Sequence, residues 1–497
     1  MSTLTAMYDI WEMSLAITPR ADINPFDLEL KAVFQKDNRR LTAFGFYDGK
    51  DDDGRDVYKI RFMPDAQGEW SYETFCDNAA LNGLTGGFTC TPPVGRGLAR
   101  VKGRHFVYDD GSPLYPIGTT CYAWIHQPEA LRRQTLESLK TTRFKKLRMC
   151  VFPKDYDFNK NEPDIYPFEG NPQLGFDYAR PNPAFYRLLE EGVMELARMG
   201  IEVDLILFHA YDRWGFSTMD KACNHRYLRY ITARLAAHAN IWWSLANEYD
   251  LLTHLDMQDW EGFVKVIQEA DYAGHLMSIH NCRGFFNHGR PWVTHCSIQR
   301  QDVYKTTELT DKWLEEFDKP VVLDEVGYEG DINWGWGNIT AEELVRRAWE
   351  CYIRGGYPGH GETYMAQDDV LWWSKGGALK GESHPRFDFM LQIAEELGPI
   401  TYLPQRNPWD LPVGGVEGVV YIAYFGFNRP RFRDFYSDNP FLGNANMPKG
   451  RYRVELIDTW NMTITDCGEM NHDELYVELP GKQYMAVRLT AIEQIWA

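Results

Sequence analysis

Eight short apolar runs, set between amphipathic stretches, constrain this chain more than any other feature. The runs are YPIGTTCY (115–122), KKLRMCVF (145–152), EVDLILFH (202–209), IWWSLANE (241–248), HLMSIHN (275–281), WVTHCS (292–297), PVVLDE (320–325) and HGETYM (360–365). Helical patterns fill most of the gaps, at 129–143, 183–200, 224–240, 255–271 and 341–356. Regular alternation of strand and helix calls for a parallel sheet. Eight such units are the number that closes into a (β/α)8 barrel. The segment CRGFFNHGRP, between the fifth and sixth runs, is too short for an ordinary crossover helix, so an irregular connection is expected there.

At 497 residues the chain exceeds what one core can organise, and the barrel pattern occupies only its middle. Residues 1–98 carry alternating segments such as LELKAVFQ (28–35), YKIRFMP (58–64) and WSYETFC (70–76), broken by the turn signals DGKDDDG and NGLTGG. Short strands without helical period predict an Ig-like β-sandwich. TPPVGRG (91–97) reads as the linker into a barrel domain spanning 99–401. From 402 to 497 the helical period is lost again: VVYIAYFGF (419–427), YRVELIDTW (452–460), MTITDC (462–467) and QYMAVRLT (483–490) predict a C-terminal β-sandwich. The flanking domains are expected to cover barrel surface or to build a homo-oligomer interface.

Several function classes fall away. A net charge of −19 without a basic stripe argues against a nucleic-acid partner. No run approaches the ~20 apolar residues of a membrane helix. The opening MSTLTAMYDIWEMSLAI lacks the positive start, apolar stretch and cleavage pattern of a secretory signal. Nine cysteines, odd in number and without a CxxC pair, include Cys121, Cys150 and Cys296 in apolar runs. Buried free thiols of a cytoplasmic protein account for that pattern.

A barrel of this kind places its chemistry at the C-terminal ends of its strands. Those ends supply Arg148, His209, Asn247, Glu248, His280, His295, Glu325 and Glu362. Two of them, Glu248 and Glu325, are separated by three βα steps of roughly 25 to 30 residues each, which places them on strands four and seven. A facing pair of carboxyls is what glycoside hydrolysis requires. A guanidinium such as that of Arg148 beside one, and burial of the other by Trp242, Trp243 or Tyr249, would divide their roles. Strand alternation is expected to turn Asp324 away from the face that Glu325 uses. Trp124, Trp214, Trp334, Trp336, Trp372 and Trp373 fall in loops at the same end, where flat rings serve as sugar platforms. Glu362, with Asp368 and Asp369 after it, either grips hydroxyls at a non-reducing end or belongs to a solvated acidic loop. His209, His280 and His295 are alternatively metal ligands, but strand one reads TTCYAW without an HxH pair.

An Asn-Glu pair ending strand four, a Glu ending strand seven, an Arg on strand two and a His after strand three together resemble the clan A retaining glycoside hydrolases. The three-domain order is similar to multidomain bacterial glycosidases related to the apiosidase-like barrels. The resemblance implies that Glu325 is the nucleophile and Glu248 the acid/base, that Asn247 binds a sugar 2-hydroxyl, and that Arg148 keeps Glu325 ionised. It also implies a sugar platform at Trp372 or Trp373 and no cofactor. That clan often has a Tyr on strand six bonded to the nucleophile; here either His295 substitutes or Tyr328 or Tyr364 reaches in. The expected activity is exo-acting hydrolysis of a neutral oligosaccharide, the negative net charge disfavouring acidic polysaccharides. A non-catalytic carbohydrate-binding barrel, a metal-dependent barrel hydrolase and an inverting enzyme are the competing readings.

Overall fold

The computed structural model describes residues 3–299, 307–365, 368–403, 410–435 and 447–495. Its centre is a parallel barrel of β1 (Gly118–Thr120), β2 (Lys146–Cys150), β3 (Glu202–Phe208), β4 (Ile241–Ala246), β5 (Met277–Ser278), β6 (Cys296–Gln299), β7 (Val321–Glu325) and β8 (Tyr357–His360). The sheet order is β5-β4-β3-β2-β1-β8-β7-β6. A parallel bridge between His280 and Ser297 joins the two ends and closes the ring.

Around it stand α1 (Glu129–Lys140), α2 (Pro183–Arg198), α3 (Lys221–Leu235), α4 (Met257–Ala270), α5 (Thr310–Phe317), α6 (Ala341–Ile353), the single turn α7 (Trp372–Lys375) and α8 (His384–Leu397). Local signals start several of them. Asn182 caps α2 ahead of Pro183, and Asp256 and Asp259 form a reciprocal capping box on α4. The β5 to β6 connection, residues 279–295, contains no helix, as its length predicts.

Two strands are displaced from their expected positions. The apolar run 292–297 is mostly approach: Thr294 bonds Met277, and pairing with the β7 side begins only at Cys296, whose N–H bonds Pro320. Its apolarity reflects burial, and β6 ends at Gln299. The eighth strand lies at Tyr357–His360, ahead of the predicted 360–365, because Pro358 and Gly359 read as a turn. Gly359 is there for closeness: a Cβ would stand 2.5 Å from the Asp324 carbonyl on β7.

Strands Ala99–Lys102, His105–Tyr108 and Pro113–Leu114 form a small sheet under the barrel. Phe106 plugs the bottom, its ring 5.0 Å from Trp242, 5.5 Å from His295 and 5.3 Å from Tyr357. The N-terminal sheet has seven strands and folds over on itself, the long strand Arg39–Lys50 pairing with Leu30–Lys36 on one side and Asp56–Phe62 on the other. Trp11, Phe34, Phe62 and Phe88 fill its core, Phe34 and Phe62 stacking at 3.9 Å. The C-terminal domain packs a two-stranded ribbon, Phe432–Asp434 with Tyr476–Glu478, over a six-stranded antiparallel sheet.

Ion pairs join the parts. Glu190 on α2 meets Arg61 of the N-terminal sheet at 2.7 Å and Arg234 of α3 at 2.6 Å, and Arg234 also meets Asp48 at 2.8 Å. On the other side Arg488 bonds Glu455 at 2.6 Å and Glu396 of α8 at 2.8 Å. All nine cysteines are free thiols. No helix among the described residues is long and apolar enough to cross a membrane.

Candidate active site

Chain geometry at the end of β4 sets the first carboxylate. After Ala246 the backbone is held on both sides, Asn247 N–H bonding the Phe208 carbonyl and Tyr249 N–H the His280 carbonyl, each at 2.9 Å. Between them Glu248 sits at φ 54° and ψ 56°, a left-handed conformation that is unfavourable by roughly 1–2 kcal/mol for an L residue. That strained turn aims the Glu248 side chain back over the barrel. Its Oε2 accepts from the Tyr211 hydroxyl and from Asn247 Nδ2 at 3.3 Å, and its Oε1 from Gln299 Nε2 at 3.3 Å. Tyr211, Asn247 and Gln299 are all neutral partners. Trp242, by contrast, lies at the barrel bottom and Trp243 turns outward to bond Asp271, so neither buries Glu248.

Glu325 ends β7, where the pairing with β6 shifts register beyond Ser297. The shift breaks strict alternation, and Asp324 does not turn away as expected. Both side chains enter the barrel at different depths. Asp324 lies deeper, against Lys146 at 2.5 Å and the Ser297 hydroxyl at 2.5 Å, whereas Glu325 faces the open end. Glu325 Oε1 accepts from the Tyr122 hydroxyl and from Arg148 Nη1 at 3.1 Å, and His280 Nε2 stands at 3.4 Å. Burial alone would push its carboxyl up. Hydrogen bonding and charge from His280, with the Arg148 guanidinium and the Tyr122 hydroxyl, outweigh burial and hold it well below the usual carboxylate range.

The two carboxylates are tied together. Tyr122 Oη, which donates to Glu325, also stands 3.1 Å from Asn247 Oδ1, and Asn247 Nδ2 donates to Glu248. A second link runs from Glu325 through His280 to Gln299 Oε1 at 3.1 Å, and through Gln299 Nε2 to Glu248. Tyr122, Tyr211 and Gln299 were absent from the strand-end candidates. Tyr122 closes the first apolar run and was legible there, whereas Gln299 required the correct bounds of β6.

Four predicted residues converge on this pair: Arg148, Asn247, His280 and Trp373, the last through its ring against Tyr122. Trp373 packs edge-on against Tyr122 at 5.3 Å and contacts Tyr328 and Trp336. Its neighbour Trp372 points the other way, donating to Thr119 Oγ1 at 2.8 Å in the main core. Trp124 also faces outward, bonding the Arg132 carbonyl and lying against Gly192 of α2. Trp214 stacks on Phe216 and donates to Glu162 in the loops beside the mouth. His295 belongs to the barrel bottom, so it cannot replace the strand-six Tyr; the hydroxyl on Glu325 comes from strand one, and neither Tyr328 nor Tyr364 is bonded to it.

His209 bonds the Phe152 carbonyl at 3.1 Å and stands behind the first ring of side chains. Burial and Lys154 pull its pKa to about 3. The three predicted histidines therefore sit in separate environments and do not form one ligand set. Glu362 also lies apart. It accepts backbone N–H bonds from Lys380 and Gly381, beside Glu329, and burial raises it to about 7. Glu329, His360 and Glu362 could together face a cation, but both carboxylates already accept bonds from the 380–383 segment.

Comparisons with known proteins agree with the barrel fold. Residues 100–409 match the model of the apiosidase-like catalytic domain, residues 5–77 and 409–490 those of two domains of unknown function, DUF5060 and DUF5605. A candidate glycoside hydrolase of known crystal structure from Bacteroides vulgatus ATCC 8482 is 35% identical, with a TM-score of 0.91 over 99% of this chain and 100% of the other. A glycoside hydrolase family 5 protein from the same organism shares the fold at 15% identity, with a TM-score of 0.59 over 81% of this chain and 96% of the other. No curated protein sequence matches the chain. The chain belongs to the apiosidase-like family of glycoside-hydrolase barrels.

Proposed function

We propose that this glycoside hydrolase acts with retention of anomeric configuration, Glu325 attacking the anomeric carbon and Glu248 protonating the leaving oxygen and then activating water. The observation that carries this is the unequal treatment of the two carboxylates. Glu325 is served by a guanidinium, a phenol and an imidazole that keep it ionised, as a nucleophile must be. Glu248 is held by neutral donors that orient it, and among the described residues no cation is in contact with it. Asn247, bonded to Glu248, would meet a hydroxyl next to the reacting carbon.

The shape of the mouth supports exo action on a short glycan. The loop after β2 crosses the opening, Tyr156 bonding Ser374 at 2.6 Å and Phe158 packing on Trp336 and Trp373. A groove running straight through would meet that wall.

The test is a panel of aryl glycosides with the first-formed sugar followed by proton NMR. Retention predicts a product with the substrate's anomeric configuration, and Glu325→Gln is expected to lower kcat by at least ~10³-fold. First formation of the opposite anomer would establish an inverting enzyme. Sugar binding without turnover on any glycoside would establish a non-catalytic barrel.

A further inference from the structure

One cation in the mouth has no counter-ion among the described residues. Lys146 is taken by Asp204 at 3.1 Å and Asp324 at 2.5 Å, and Arg148 by Glu325 at 3.1 Å with Asp204 at 3.6 Å. Lys154, in the loop just after β2, is 2% exposed. Among the described residues no carboxylate comes within ion-pair distance of its Nζ and no acceptor bonds it. Rings surround it instead: Nζ stands 3.6 Å from the centroid of Tyr122, 4.3 Å from Tyr211, 4.9 Å from Tyr156 and 5.5 Å from Trp373. Tyr122 carries the hydroxyl on Glu325 and Tyr211 the hydroxyl on Glu248. The ammonium therefore lies between the partners of both carboxylates, beside the Trp373 platform, where the reacting sugar must sit.

Faces of aromatic rings attract a cation, but they accept none of its three N–H donors in the way an oxygen does. A desolvated ammonium without such a partner is unfavourable. Burial lowers the Lys154 pKa, and the more distant Cys150, Glu248 and Glu325 oppose that only in part. An anionic oxygen entering with the substrate would satisfy the donors and restore the charge.

From this arrangement, and resting on the glycosidase reading above, we infer that Lys154 selects a sugar bearing an anionic substituent, either a carboxylate or a sulfate ester, in the subsite next to Glu325. The reading replaces the neutral substrate expected from net charge. The overall −19 acts at long range and is screened by salt, whereas Lys154 acts by contact.

The experiment measures kcat/KM on aryl uronides, on 6-O-sulfated aryl hexosides and on the matching neutral hexosides, for the wild type, Lys154→Met and Lys154→Arg, with thermal melts of each to check folding. Expected is a preference of at least 100-fold for one anionic series over the neutral one. Lys154→Met should reduce that ratio by about 100-fold, and Lys154→Arg should retain a substantial part of it. Whether uronides or sulfated sugars are preferred identifies the anion. Calorimetric binding of free glucuronate, galacturonate and glucose 6-sulfate against glucose and galactose, on Glu325→Gln, separates the two readings. Anion-selective binding lost in Lys154→Met, without turnover of any glycoside, would uphold Lys154 and sink the hydrolase mechanism. Equal or better use of neutral sugars, in turnover and in binding alike, with the same ratio in Lys154→Met, would overturn the inference.

Discussion

Tyr122 is the single side chain on which most of the candidate mechanism turns. Its hydroxyl meets Glu325, Arg148 Nη1 at 2.8 Å and Asn247, and its ring lies under Lys154. Tyr122→Phe keeps the ring and deletes the donor to Glu325, the proposed nucleophile, so kcat is expected to fall by about 10²-fold while the fold survives, as a melt and steady-state kinetics would check. Arg148→Lys tests the charge on Glu325 instead. As the proposed nucleophile Glu325 would work ionised, and the guanidinium helps hold its pKa below the ordinary range. Weakening that contact raises the pKa, so the acid limb of the kcat/KM profile should move to higher pH. An unmoved limb would show that Arg148 does not tune Glu325. At this scale the sequence was a fair guide wherever the residue was itself a strand end, as with Asn247, Glu248 and Glu325. It was a poor guide to the tryptophans, because adjacent Trp372 and Trp373 are indistinguishable until their faces are known.

Elements were legible in proportion to how local their signals are. α2 and α4 declare themselves through apolar periodicity and caps, and β3 and β4 through uninterrupted burial. β8 hides behind Pro358 and Gly359, and β1 shrinks to three residues around Gly118, because both meet neighbouring backbone too closely for a side chain. A Cβ on Gly118 would stand 2.0 Å from the Lys146 carbonyl. Gly118→Ala should therefore push β1 from β2 and lower unfolding stability by about 1–3 kcal/mol, with a matching loss of activity since Tyr122 follows β1. Wild-type stability in urea titration would refute that packing account. The register shift between β6 and β7 was invisible in the sequence, and with it the shared inward orientation of Asp324 and Glu325.

The whole molecule depends on polar seams between its parts. Glu190 holds Arg61 from the N-terminal sheet and Arg234 from α3 in a buried cluster. Burial would raise the Glu190 carboxyl, but the charges and hydrogen bonds of Arg234 and Arg61 hold it at about 2. A depressed carboxylate contributes stability that is complete above its ordinary pKa, near 4.3, and lost as pH falls from there toward 2. Thermal unfolding from pH 6 to pH 2.5 should show that decline. Glu190→Gln should flatten part of it and lower stability at neutral pH by about 3–5 kcal/mol, because two buried guanidinium groups lose their shared partner. By itself the sequence determined the order of the strand-helix units and hence the two strands that end in Glu248 and Glu325, since periodicity and capping act within a dozen neighbouring residues. Only the tertiary structure decided that Tyr122 meets Glu325, that Gln299 meets Glu248 and that Lys154 stands caged between them. Those contacts join residues far apart in the chain, and their existence depends on strand register and barrel closure, which no local pattern encodes.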